Sequence, residues 1–85
     1  MMAENDDYGL VVYEFEKNDR EVIRIGLNEF RGHEYVDLRV FYAKDGEYHP
    51  SKKGLTMPKD LYPALLDGIV ELGKALGFDE LVGED

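Results

Sequence analysis

The chain has no cysteine among its 85 residues, which excludes disulfide staples and thiolate metal sites and fits a reducing compartment. Tryptophan is also absent, and the only histidines are His33 and His49. Neither belongs to a metal-ligand or nucleophile motif, and no Gly-rich phosphate loop follows a strand. The sequence therefore offers no catalytic residue, no metal site and no cofactor site. No apolar run approaches the roughly 18 to 20 residues of a membrane helix. The opening Met1-Met2-Ala3-Glu4-Asn5-Asp6-Asp7 is acidic where a signal peptide would be basic, so neither export nor a membrane partner is expected. The expected location is the cytoplasm, with nucleoid association in a bacterium, or the nucleus in a eukaryote.

An excess of positive charge is missing too, since 19 acidic residues against 10 basic ones leave a formal net charge of -9. The acid is concentrated at the two ends. Residues 1–19 carry -5 and residues 60–85 carry -6, whereas 20–59 carry +2 through Arg20, Arg24, Arg31, Arg39, Lys44, Lys52, Lys53 and Lys59. That density predicts a local electropositive surface on an acidic body. A chain this short forms one domain and buries only about 60% of its unfolded surface. With 44% apolar residues the core is thin, and a second copy covering it would add stability.

Residues 1–7 read as a flexible acidic lead, 8–78 as one domain and 79–85 as an acidic tail. Leu10-Val11-Val12-Tyr13-Glu14-Phe15 is rich in β-branched and aromatic residues and is followed by the turn-like Lys17-Asn18-Asp19-Arg20. In the next segment Ile23, Ile25 and Leu27 alternate with Val22 and Arg24, the two-residue period of a strand, until Asn28 to Gly32 interrupts it. His33 to Tyr42 is the longest strand candidate. Val36, Leu38, Val40 and Tyr42 form its inward parity, opposite Tyr35, Asp37, Arg39 and Phe41. Asp45-Gly46 predicts a tight hairpin into a fourth strand, which Pro50 and the polar Ser51-Lys52-Lys53-Gly54 should make short, irregular or confined to an edge. Leu61, Tyr62, Leu65, Leu66, Ile69, Leu72 and Leu76 recur at helical spacing, with Pro63 in the first turn and Gly77 as the stop.

Cations and rings are interleaved in the strand region, where Arg24, Phe30, Arg31, His33, Arg39, Phe41, Tyr42, Tyr48, Lys52 and Lys53 all fall. Single-stranded nucleic acid requires both, cations for the phosphates and exposed rings to stack on unpaired bases. Rings also fill the cores of small sheet domains, and Arg39 has Asp37 or Glu47 as intramolecular partners. Asp37 is read as an ion-pair member rather than a general acid.

The order Arg20-Glu21-Val22-Ile23-Arg24-Ile25, Asn28-Glu29-Phe30-Arg31-Gly32, Tyr35-Val36-Asp37-Leu38-Arg39-Val40-Phe41-Tyr42, Asp45-Gly46-Glu47 and Pro50-Ser51-Lys52-Lys53-Gly54-Leu55-Thr56, closed by a helix, resembles a known family. It is similar to the C-terminal domain of the transcriptional coactivator positive cofactor four, over about Phe15 to Leu76. The resemblance implies an α+β fold, a curved four-stranded antiparallel sheet followed by one C-terminal helix, dimeric through that helix. It also implies a role in transcription by binding single-stranded or melted DNA, with RNA and a protein of the transcription machinery as further partners. By the same resemblance Phe30 and Tyr42 stack on bases, Arg31 and His33 lie beside the strand, Lys52 and Lys53 form the basic loop, and Arg24 and Arg39 belong to the binding sheet. Tyr42 stands where tryptophan is common and His33 where lysine is common, which reduces stacking area and charge. The alternative reading is a protein-interaction module that presents an acidic surface to a basic partner.

Overall fold

Four alternating segments joined by short turns can pair only with their chain neighbours, and they do so. The computed structural model describes residues 9–78; the acidic lead expected at 1–7 and the tail at 79–85 lie outside the described residues. The elements are β1 (Leu10–Asn18), β2 (Glu21–Phe30), β3 (His33–Lys44), β4 (Glu47–Pro58), a 3-10 turn (Lys59–Leu61) and α1 (Tyr62–Leu76). The strands form one antiparallel sheet in the order β1-β2-β3-β4.

The turn between β3 and β4 uses the expected pair, Asp45 at φ 57° and Gly46 at φ 80°, left-handed values that match the twist of a two-residue hairpin. The preceding turn differs from expectation. β2 does not break at Asn28 but continues through Asn28↔Tyr35, Glu29↔Glu34 and Phe30↔His33, so only Arg31 and Gly32 are left to turn, at φ 55° and 80°. Arginine is an unusual residue at positive φ, which is why the shorter turn was hidden. β4 is an edge strand and irregular, as its proline and lysines imply, but it is not short, running for 12 residues. The irregularity lies between Arg39↔Gly54 and Phe41↔Pro50, where β4 takes four residue steps against two on β3.

Register sorts the faces. Ile23↔Val40, Ile25↔Leu38, Leu27↔Val36 and Leu38↔Leu55 stack on one side; Arg24↔Arg39, Val22↔Phe41 and Asp37↔Thr56 stack on the other. The side of mixed polarity is the more deeply covered, since Val22, Phe41 and Asp37 are buried there, and on the apolar side only Val36 is. Two arginines account for this. The Arg24 guanidinium lies 4.6 Å from the centre of the Phe41 ring, and Arg39 lies over Asp37. Long cationic side chains cover apolar surface with their stems while keeping their heads bonded.

α1 starts with Pro63 in its first turn, where a missing N–H costs little, and stops at Gly77, whose φ of 84° suits the left-handed C-cap. A side-chain tie anchors the approach to it: Lys59 Nζ donates to Glu34 Oε1 at 2.8 Å. That hydrogen bond holds the Glu34 carboxyl below its ordinary pKa and raises that of Lys59. Beyond this tie the helix hardly touches its own sheet. None of its residues is buried, and Leu66, Ile69, Val70, Leu72 and Leu76 are exposed. The radius of gyration, 14.9 Å, exceeds the roughly 11 to 12 Å of a compact domain of this length. Tyr13, Phe15, Leu27 and Leu55 on the apolar side of the sheet are exposed as well.

Candidate nucleic-acid interface

The β2–β3 ladder separates the candidate residues into two clusters. From Phe30↔His33 to Glu21↔Tyr42 it runs nine residue steps, or about 30 Å at the rise of a strand.

At the hairpin end, Phe30 is the last residue of β2 and 60% exposed. The positive φ of Arg31 folds its guanidinium back to 5.1 Å from the centre of the Phe30 ring, and His33 closes the pair opposite Phe30. An exposed ring with a cation on one face leaves the other face open to a flat, electron-rich partner.

At the other end, Tyr42 has the strand parity of core residues, which would turn it inward in the middle of β3. It lies beyond that middle and is 39% exposed. Its ring stands 5.7 Å from that of His49, its cross-strand partner, with a 36° angle between planes. It borders an open cleft lined by Asn18, Asp19, Arg20, Glu21 and Ala43. Glu21 is engaged there by Lys17 Nζ and Asn18 Nδ2, each at 2.8 Å, and the hydrogen bond from Lys17 is the main cause of its lowered pKa. Register puts Lys53 between the pairs Arg39↔Gly54 and Phe41↔Pro50, toward this end of the sheet, and its charge adds a little to the lowering. Lys52 and Lys53 are both exposed on the irregular part of β4.

The two remaining candidates are engaged by protein partners, Arg24 at the surface and Arg39 more deeply. Arg24 Nε donates to Glu14 Oε1 at 2.7 Å, with Phe41 and Tyr48 rings at 4.6 and 5.5 Å from the guanidinium. Arg39 binds Asp37 through two nitrogens, at 2.9 and 3.2 Å, and also reaches Ser51 and Thr56. Phe30, Arg31 and His33 thus form one group, Tyr42, Lys52 and Lys53 belong to the other end, and Arg24 and Arg39 are packed into the mixed-polarity face between them. His49 is the residue that sequence reasoning left out. Its signal was the register set by Asp45-Gly46, which pairs it with Tyr42. Among the described residues no group of three or more His, Asp or Glu could hold a metal ion, and no helix is long and apolar enough to cross a membrane.

Comparison with known proteins gives the same part of the chain a family. Residues 17–68 match the family described as Transcriptional Coactivator p15 (PC4). An RNA polymerase II transcriptional coactivator of Drosophila melanogaster is 38% identical over 53 residues, covering 62% of this chain and 48% of its own. The chain therefore spans about half the length of that relative. Among solved structures, a PC4 homolog from Burkholderia pseudomallei superposes with a TM-score of 0.72 at 26% identity, over 76% of this chain and 89% of the other. MoSub1, solved as a complex with single-stranded DNA, gives a TM-score of 0.54 at 28% identity, over 85% and 81%.

Proposed function

The chain belongs to the transcriptional coactivator p15 (PC4) family, and from that premise we propose that it is a homodimer that binds single-stranded or melted DNA and acts in transcription. The observation that carries the reading is the hairpin end of the sheet, where an exposed Phe30 has Arg31 on one face of its ring. Tyr42 with His49, and the exposed Lys52 and Lys53, supply a second ring and further cations at the other end. RNA single strands likewise offer unstacked bases and a phosphate chain and belong to the same ligand class. MoSub1 bound to single-stranded DNA supports the assignment by relationship. The family's proteins are not enzymes. A bacterial member of this kind belongs in the cytoplasm with the nucleoid, a eukaryotic one in the nucleus.

Dimerisation rests on the uncovered apolar surface. The helix face at Leu66, Ile69, Leu72 and Leu76 and the sheet face at Tyr13, Phe15 and Leu27 are both open in one chain. Each large apolar side chain removed from water contributes about 1.5 to 3 kcal/mol, so a twofold partner that buries the helix stripe stabilises both copies.

The test is a titration of labelled oligonucleotide at low and moderate salt. The single strand should bind more tightly than its duplex, because duplex bases are already stacked and α1 carries no basic face for a major groove. Equal affinity for the two forms across salt concentrations would sink the proposal. In the same assay Lys52→Ala with Lys53→Ala should reduce the slope of log affinity against log salt by up to about 1.4, since each phosphate contact on a single strand contributes about 0.7. Both lysines are exposed, so thermal stability should be little changed. A folded double variant with unaltered slope would show that these lysines meet no phosphate.

A further inference from the structure

Arg39 belongs to the strand region that the family resemblance assigns to nucleic acid, yet its hydrogen-bonding groups point into the protein. Its Nε donates to Asp37 Oδ2 at 3.2 Å and its Nη2 to Asp37 Oδ1 at 2.9 Å; Nη2 also reaches Thr56 Oγ1 at 3.1 Å, and Nη1 donates to the carbonyl oxygen of Ser51 at 3.1 Å. Thr56 Oγ1 in turn donates to Asp37 Oδ1 at 2.6 Å. The side chain of Arg39 is 15% exposed and that of Asp37 is 6% exposed.

What this network grips is the irregular part of β4. Ser51, held through its carbonyl by Arg39, donates its hydroxyl to the carbonyl oxygen of Val40 at 2.7 Å and accepts the N–H of Lys53 at 3.0 Å. On the far side of the lysines stands Gly54. A Cβ there would lie 2.8 Å from Cζ and Nη1 of Arg39 and equally close to the carbonyl oxygen of Leu38, so glycine is what lets β4 lie against both the β3 backbone and the guanidinium. The segment that carries Lys52 and Lys53 is thus fastened at Ser51, at the Lys53 amide and across Gly54, with Arg39 at the centre.

We propose that Arg39 is a positioning residue for nucleic-acid binding: it holds the Ser51–Gly54 bulge so that Lys52 and Lys53 meet the phosphates, and does not itself contact the strand. This rests on the reading that those lysines bind phosphate. A lysine side chain is flexible, and its ammonium adds most to binding when the backbone beneath it is already in place. The planar guanidinium fork suits the task, since it serves Asp37, Thr56 and Ser51 at once. A lysine at 39 would keep the charge and lose the fork.

The experiment measures single-strand affinity over a range of salt for the wild type, Arg39→Lys, Gly54→Ala, Lys52→Ala with Lys53→Ala, and the triple variant that adds Arg39→Lys to the latter pair. Arg39→Lys keeps a cation beside Asp37, and Gly54→Ala leaves Arg39 itself in the chain, so at least one is expected to stay folded, as thermal unfolding will show. Both should weaken binding when the lysines are present. In the lysine-free background Arg39→Lys should change affinity by less than about twofold, the scatter of independent sites. Without DNA, hydrogen exchange at the Lys53 amide should accelerate in both single variants. Wild-type affinity in Arg39→Lys, an equal loss with and without the lysines, or unchanged exchange at Lys53 would each overturn the inference. No binding by the wild type at any salt would overturn the functional reading and this inference together, an outcome distinct from a wild type that binds and an Arg39→Lys variant that equals it.

Discussion

Replacing Ile69 and Leu72 together by aspartate is expected to convert the protein from dimer to monomer at micromolar concentration. Ile69 and Leu72 are 49% and 57% exposed in the single chain and lie on one stripe of α1 with Leu65 and Leu76. A twofold interface repeats each substitution, so two changes per chain remove four apolar side chains from it. At about 1.5 to 3 kcal/mol each, the loss is roughly 6 to 12 kcal/mol before any charge repulsion, or a dissociation constant raised at least about ten-thousandfold. Light scattering at several concentrations measures this against the 9.8 kDa mass of one chain. Two results would count against the helix as interface: a wild type already monomeric, or a double aspartate variant that still weighs twice the chain. Intrinsic helix preference does not confound the reading, because aspartate at two interior positions costs the helix only about 0.5 kcal/mol each.

The second large effect is expected from Phe30→Ala combined with Tyr42→Ala. Base stacking on a ring contributes about 1 to 3 kcal/mol per base, so losing both should weaken single-strand binding by about 2 to 6 kcal/mol, roughly thirtyfold to ten-thousandfold. The salt slope should stay near the wild-type value, since neither ring neutralises a phosphate. That combination, lower affinity at constant slope, distinguishes the rings from Lys52 and Lys53, whose loss changes the slope. The fold should tolerate both substitutions, with Phe30 at a hairpin end 60% exposed and Tyr42 39% exposed. Duplex binding, which leaves no base free to stack, should fall little. A folded variant that retains wild-type affinity for the single strand would remove the rings from the binding surface. Measuring the two single variants as well will show whether each end of the sheet contributes, given the 30 Å or so between them.

The four strands, the β3–β4 hairpin and the closing helix were legible because each follows from local chemistry, whereas the antiparallel four-stranded sheet was what the family resemblance implied. Two-residue alternation in Glu21–Leu27 and His33–Tyr42 sets the strands, Asp45-Gly46 provides the left-handed turn, and Gly77 ends a three-to-four-residue apolar period. The pairing of Asp37 with Arg39 was also within reach, since residues two apart on a strand share a face. The end of β2 was misplaced by the same local reasoning. Arg31 is no common turn former, and what holds it at positive φ is the pairing of Phe30 with His33 on either side.

Sequence by itself determined which segments are strands, where the helix stops and which residues alternate together, since those depend on neighbours a few positions away. Only the tertiary structure decided which alternating face is covered and which candidate residues reach solvent. Parity alone would have buried Tyr42, but its place toward the end of β3 exposes it beside His49. Parity and charge alone would have offered Arg39 to a ligand, but Ser51 and Thr56, 12 and 17 residues further along, turn it to the protein. The helix pattern announced an apolar face without saying that its own sheet would leave it open. The physical reason is the same in all three: alternation specifies a side chain's direction relative to its own strand, whereas exposure depends on register and on irregularities in partner strands that no local pattern encodes.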